Sequence, residues 1–437
     1  MADSISLILT LVILTGFIGG LRSGMVGLLL IRPLCDRFFE LARFNLAGKD
    51  ISYGAAINLI VIGAIGLVLY RLRNRVQVTL WRAWVPFLLI TLFASLYSPV
   101  AVDGFRKFLT YVSYMGMFVL PFVMIKTERD VLYFLKVAIL SSLGPVVYGL
   151  LQLGLGWDWY QGTRIASSFS HPNIFAFYLL TTIGTVLSLL LSQRFILAKA
   201  TRNLLSLYLI PLLILLVATK TRSAWLGCFL LFGVYGLIAD KRVLLLTFAL
   251  PVCALFVPAV RERLMDLTTG NQYVGWVQDV NAYAWRKLLW QKASHYIAQR
   301  PLFGYGLYSF PYYSPTFFPL ETERGVDAHN VYIQLMFETG LMGLLSYLWI
   351  FGRKLQILFR YWRLDRPALA MTASMLCVYL ITCYSDNLLE YVSYGWCYWF
   401  TFGVIFADLS QYRLLSISSE TSPDQSFSGS VENARLA

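Results

Sequence analysis

Apolar runs separated by short polar or basic interruptions dominate the chain, at about 5–21, 51–70, 83–98, 108–125, 131–154, 172–192, 203–219, 223–239, 243–258, 330–351, 367–384 and 391–409. Each approaches the ~20 residues that a helix needs to cross the hydrocarbon core of a bilayer, so about twelve transmembrane helices are expected. They would share one all-α polytopic bundle rather than form separate domains. The stretch from Gly24 to Leu46 breaks the pattern, because Met25 to Ile31 is apolar but Arg32, Pro33, Asp36, Arg37 and Arg43 follow. It reads as a re-entrant or interfacial helix.

This division gives an N-terminal bundle over 1–258, a long connection over 259–328, C-terminal helices of the same domain over 329–412, and a tail over 413–437. The connection is too long to be an idle loop in a compact bundle. Within it, Tyr283, Trp285, Leu288, Leu289, Lys292, Tyr296 and Ile297 suggest an amphipathic helix from about Asn281 to Gln299, ended by Arg300-Pro301 and lying along the membrane surface. Gly304, Gly306, Pro311 and Pro315 with their aromatic neighbours read as a tight loop. The tail turns to Ser, Thr, Asp, Glu and Gly and is expected to be disordered. No repeat period is visible.

An apolar fraction of 58% and a charged fraction of 14% place the chain far from soluble domains and identify an integral membrane protein. The formal charge of +13 therefore changes meaning: its basic residues sit in clusters between apolar runs, as at Arg71, Arg73, Arg75 and Arg82, which indicates topology and anionic headgroups rather than nucleic acid. The six cysteines contain no CxxC pair, so neither a zinc site nor a disulfide framework is indicated. Asp3 without a preceding basic residue does not resemble a secretory signal. A multi-pass protein of the plasma (inner) membrane is expected. Cytoplasmic N- and C-termini put the larger share of Lys and Arg inward and the long connection on the exoplasmic, or periplasmic, side.

Four pieces then fall on that outer side: RIASSFSHPN from Arg164 to Asn173, KTRSAWLG from Lys220 to Gly227, Trp285 to Phe310, and Ala328 to Gly343. Side chains from several helices meeting at one face are how a polytopic enzyme builds a site. His329, one of three histidines, stands at the mouth of a membrane helix beside Asn330 and is the candidate base; the alternative is an interfacial anchor. Arg222, with Lys220 before it, either snorkels or holds a diphosphate through paired hydrogen bonds, and Arg164 and Arg286 are candidates of the same type. Arg286 would lie one turn before an exposed Trp290.

Asp327 could cap the helix that carries His329. Gln334 and Glu338 should share a face away from His329, and Gly340 and Gly343 read as close helix packing. His171 before Pro172 fits a helix entry, His295 an interface residue. Asp386 and Glu390, near Tyr391, would bind an acceptor or cap the last span. No metal site and no cofactor are expected.

At these residues the chain resembles the O-antigen ligase and polymerase superfamily of membrane transferases, in RIASSFSHPN, TRSAWLG, the Arg286–Pro301 segment with its GYGLYSF continuation, and HNVYIQLMFETGLMG. The resemblance implies a metal-independent glycosyltransferase at the outer face that uses a polyprenyl-diphosphate-linked glycan donor and a glycan, lipid A core or protein hydroxyl acceptor. A chain-length regulator or flippase would be a further partner besides the membrane lipids. Carried over, His329 activates or orients the acceptor hydroxyl, Arg222 and Arg286 hold the diphosphate, and Arg164 assists.

Ligase and polymerase stay unseparated for a surface polysaccharide such as O-antigen or exopolysaccharide. The competing class is a secondary transporter of the kind related to inorganic-carbon accumulation, disfavoured because the spans hold few acids or bases. A third, a peptidoglycan polymerase, would want a critical aspartate, for which Asp266 or Asp279 are available.

Overall fold

A computed structural model describes residues 2–46, 49–71, 82–158, 160–254 and 282–420, with Phe256, Arg261 and Met265 between the last two segments. Arg73, Arg75, Asp266, Asp279 and the tail beyond 420 lie outside the described residues. Five helical stretches, Ala101–Met124, Glu128–Leu155, Pro172–Leu191, Lys199–Ala218 and Val331–Arg360, are long and apolar enough to cross a membrane, and shorter apolar helices pack among them. The chain is an all-α membrane protein apart from one two-stranded ribbon, β1 (Arg43–Leu46) with β2 (Lys49–Ser52), antiparallel with Arg43 opposite Ser52.

After α1 (Ala2–Gly19), the ambiguous stretch resolves into helices α2 (Leu21–Leu34) and α3 (Asp36–Leu41), followed by β1. α1 and α2 fold back on each other with Gly16 against Gly24, where an added Cβ would lie 3.2 Å from the Gly24 backbone. α2 packs against α1 and the bundle, with Met25, Leu28 and Leu29 buried. Its charge is tolerated because Arg32, 2% exposed, meets Asp36 at 3.2 Å and Glu40 at 2.7 Å and lies over the Phe39 and Trp396 rings. Burial of a cation is sustainable only with such partners.

Polar contacts separate the two faces of the bundle. Ser6 and Asp3, at the start of α1, reach Phe38 O and Arg43 N, while Ser168 Oγ donates to Pro33 O at 2.7 Å. Arg22, just past the end of α1, pairs instead with Asp130 near the start of α5 (Glu128–Leu140). The opposite face is closed by Arg194, which binds Asp408 at 2.6 Å and Glu128 at 2.7 Å. The start of α1 therefore sits at the end of the bundle that bears Ser168, away from the Arg194–Asp408 pair.

The remaining elements are α4 (Tyr53–Arg71), α6 (Val85–Leu96), α7 (Ala101–Val119), α8 (Leu143–Leu155), α9 (Pro172–Leu191), α10 (Lys199–Ala218), α11 (Arg222–Ile238), α12 (Lys241–Ala254), α13 (Ala282–Gln299), α14 (Ser309–Phe317), α15 (Val331–Arg360), α16 (Arg366–Thr382) and α17 (Val392–Glu420). The run read as one span at 131–154 is one candidate span, Glu128–Leu155, built of α5 and α8 with a turn at Ser141-Ser142 ahead of Gly144-Pro145. α17 continues helically to Glu420, past the expected end at Tyr412.

α15 is broken at Gly340, whose φ of 63° and ψ of −165° leave the helical region. The break strands backbone groups that a neighbouring loop then satisfies: Phe337 O and Glu338 O accept from Tyr305 N and Gly306 N, both at 2.9 Å, while Leu341 N donates to Pro301 O at 2.8 Å. Membrane interiors tolerate broken helices only where such replacements exist. Gly340 thus serves loop docking rather than the expected helix packing, since a Cβ there would lie 2.3 Å from the Leu302 backbone. Gly340→Ala is expected to lower stability by roughly 2 kcal/mol or more, read as a drop in the thermal unfolding midpoint in detergent.

Candidate functional site

The loop that fills the α15 break leads into a small aromatic domain. Leu289 and Ala293 of α13 are buried against Tyr305, Phe310, Phe318 and Phe337, with Trp285, Trp290 and Tyr296 around them. α13 is amphipathic as expected, with His295 on its exposed side. Trp290 differs from the expected exposed face: its Nε1 donates to Ala328 O at 2.7 Å, which ties α13 to the segment before α15.

That tie presents His329. Ala328 N donates to Gln334 Oε1 at 2.9 Å and Val331 N to Cys383 O at 2.9 Å, so the backbone is fixed on both sides of the histidine. His329 itself has φ 48°, a left-handed conformation that a non-glycine residue adopts at some cost in strain. Its ring lies edge-on to Trp285 at 5.8 Å, and it has no hydrogen-bond partner among the described residues. Burial holds the imidazole below its ordinary pKa, the Arg286 guanidinium adds to this, and Asp386 and Glu390 oppose it. His329 is therefore neutral near pH 7, with ring nitrogens open to a ligand.

The helix cap is Asn330, not Asp327 as expected: Asn330 Oδ1 accepts from Tyr332 N at 2.9 Å and Ile333 N at 3.1 Å. Asn330→Ala should reduce stability by about 1 kcal/mol, and Asn330→Asp should restore the thermal midpoint. Asp327 Oδ1 is buried without a hydrogen-bond partner, and burial with the nearby Glu390 raises its pKa to about 7, against the pull of Lys107. Lys107 is itself paired with Glu390. Gln334 and Glu338 do share a side, joined at 2.5 Å; Glu338 also accepts from Phe310 N at the α14 start, while Gln334 holds the Ala328 backbone beside His329.

Arg286, one residue after Trp285, donates from Nη1 to Ser385 O in the turn after α16. The next residue, Asp386, is fully buried and acts as a hub. Its two carboxylate oxygens accept from Tyr391 OH at 2.6 Å and from Asn173 Nδ2 at 2.7 Å. Asn173 Oδ1 in turn accepts from Arg164 Nη2 at 2.7 Å, and Arg164 also donates to Thr219 O and Thr221 Oγ1, both at 2.9 Å. Thr221 immediately precedes Arg222, the first residue of α11. Lys220 sits in the same turn with φ 51°.

One connected network thus joins three of the four sequence pieces, and the fourth meets it through Trp285 and Arg286. Arg164 and Arg286 are tied to the Asp386 turn through Asn173 and Ser385, and Lys220 and Arg222 flank Thr221, which Arg164 holds, so four basic residues stand along one connected rim. Arg164 is an internal strut whose guanidinium is spent on the protein, whereas Arg286 stands directly beside His329.

His171 caps α9, its Nδ1 accepting from Asn173 N at 3.1 Å, as the helix-entry reading expects. Burial and then Arg164 lower its pKa to about 4. Asn173 was read only as part of a motif and Asp386 as one of two alternatives. The bond joining them spans 213 residues, and only the acid next to the last helix start hinted at it.

Such a rim can bind an anion through guanidinium and hydroxyl donors and offer a neutral imidazole to a proton. Among the described residues no group of three or more His, Cys, Asp or Glu is placed to hold a metal ion. Residues 207–348, from α10 through the α15 break, match the sequence model of the family described as O-antigen ligase. No curated protein matches the chain.

Proposed function

We propose that this chain, whose residues 207–348 match the sequence model of the family described as O-antigen ligase, transfers a surface-polysaccharide glycan from a polyprenyl-diphosphate-linked donor to an acceptor hydroxyl at the exoplasmic face of the plasma membrane. The observation that carries this reading is that His329, without a hydrogen-bond partner among the described residues, stands at the rim with its pKa held below the ordinary value by burial and by the Arg286 guanidinium. The acceptor oxygen gives its proton to His329 as it attacks the anomeric carbon; the bond from that carbon to the diphosphate oxygen breaks, and the polyprenyl diphosphate departs as the anion. Diphosphate is already a good leaving group, so the protein's work is alignment and stabilisation of developing phosphate charge. Arg286 and Arg222 supply that charge, while Arg164 with Asn173 and Asp386 fixes their surroundings.

A base held below its ordinary pKa predicts the pH profile. Protonation of His329 should remove activity only on the acid side, with the midpoint of the acid limb of kcat/KM below 6.5, and His329→Ala should erase that limb. An acid limb at or above that value would contradict the assignment.

The proposal is tested with protein purified in detergent, an undecaprenyl-diphosphate-linked repeat unit and an acceptor glycan. Elongated or newly attached glycan is expected. Absence of transfer, together with solute uptake by reconstituted vesicles, would place the chain among transporters instead.

A further inference from the structure

The loop between α8 and α9 forms a second concave feature on the same face. A cavity of about 300 Å³ opens there, lined by Arg37, Asp158, Tyr160, Gln161, Phe169 and Ser170 among others. That volume is at the lower end of the roughly 300–1,000 Å³ of ligand pockets and suits one or two sugar rings rather than a lipid chain.

Its polar groups are pre-set. The Asp158 carboxylate accepts from Arg37 Nη1 at 3.0 and 3.1 Å, from Tyr148 OH at 2.8 Å and from Gln152 Nε2 at 3.3 Å. Arg37 and Asp158 cancel each other's charge, so the cavity offers hydrogen bonds without a net field for phosphate. The half-buried Tyr160 supplies an apolar face on which a ring can stack, while Phe169 closes the cavity floor from the core. Asp158, Gln161 and Ser167 all have positive φ, at 51°, 49° and 54°, and residues held in such conformations cluster at binding sites.

The cavity adjoins the cationic rim. Tyr160 and Arg164 pair through their backbones at 2.8 Å, and the Tyr160 ring lies 5.0 Å from His171. Ser170, on the cavity wall, is tied by its N–H at 3.2 Å to the buried Asp36 of α3, and Asp36 also accepts from Ser393 of α17. The α2–α3 turn therefore braces this wall against the body of the bundle.

We propose that this cavity is a neutral glycan subsite, which holds sugar units of the donor or acceptor beside the diphosphate-binding rim. The assignment rests on the transferase reading for its neighbour but makes a separate demand: sugars without lipid or phosphate must bind.

The probe is oligosaccharide released by mild acid from the surface polysaccharide of the cell that makes the protein, titrated into the full-length chain in detergent by ligand-observed NMR. Tyr160→Ala and Gln161→Gly are compared with the unaltered chain; glycine accepts the φ of 49° at Gln161 without strain. Each substitution is expected to weaken oligosaccharide binding at least about tenfold and to leave undecaprenyl diphosphate binding unchanged, whereas Arg286→Lys should do the reverse. Oligosaccharide that fails to bind the full chain, or binds both variants equally well, overturns the subsite. Oligosaccharide binding that behaves as stated in a chain with no affinity for undecaprenyl diphosphate upholds the subsite and sinks the donor reading instead.

Discussion

His329→Ala should lower glycan transfer by at least about 10²-fold while donor affinity changes little, because removing a general base acts on the chemical step more than on binding. The geometry makes this sharp. His329 has no protein hydrogen-bond partner among the described residues whose loss would confuse the result, and its left-handed backbone is fixed by Ala328 and Val331 on either side. Alanine at φ 48° remains somewhat strained, so His329→Asn, a residue that tolerates this region better, is the companion variant. Both should fold with normal thermal midpoints and both should be inactive in single-turnover transfer. Full turnover in either would remove the imidazole from the reaction.

The second large effect is expected at Arg286. Arg286→Lys keeps the charge but loses the planar fork that reaches Ser385 O and a bidentate phosphate together. Donor affinity should fall about tenfold, in keeping with about 1.5–3 kcal/mol for a hydrogen bond to a charged group. The same substitution removes part of the pressure that keeps His329 neutral only if the ammonium moves away, so the acid limb of the pH profile should shift little. Arg164→Lys should look different. Arg164 spends its donors on Thr219, Thr221 and Asn173, so its loss should appear first as lowered thermal stability and only secondarily as lost affinity.

Particular residues show what the sequence made legible. The amphipathic pattern placed α13 within a residue of its observed Ala282–Gln299, and the apolar run at 330–351 placed the start of α15 within a residue of Val331. Both signals are local periodicities. The stretch around α2 reads as re-entrant or interfacial because Arg32 and Pro33 interrupt its apolar run; the burial of Arg32 follows from Asp36 four residues on and Glu40 eight, spacings that bring carboxylates to the same guanidinium. The break at Gly340 was read as packing because its partners, Pro301 to Gly306, belong to another element. Asp386 became the hub only through Asn173 and Tyr391, contacts that no local pattern encodes.

The organisation of the site follows from the same distinction. Motif positions supply the candidate chemistry at His329, Arg286 and Arg222, and residues far away in sequence decide how each is held. Arg164 is grouped with the candidate diphosphate ligands by residue type, and in the structure its Nε and Nη2 hold Thr219, Thr221 and Asn173.

The central claim is that cationic side chains and one imidazole at this rim grip a lipid-linked diphosphate. It is tested most directly by titrating the purified chain with undecaprenyl diphosphate and undecaprenyl monophosphate at matched ionic strength. The account predicts tighter binding of the diphosphate, with the preference lost in an Arg222→Lys, Arg286→Lys double variant. Equal affinity for the two lipids, or a preference untouched by the double substitution, would contradict it.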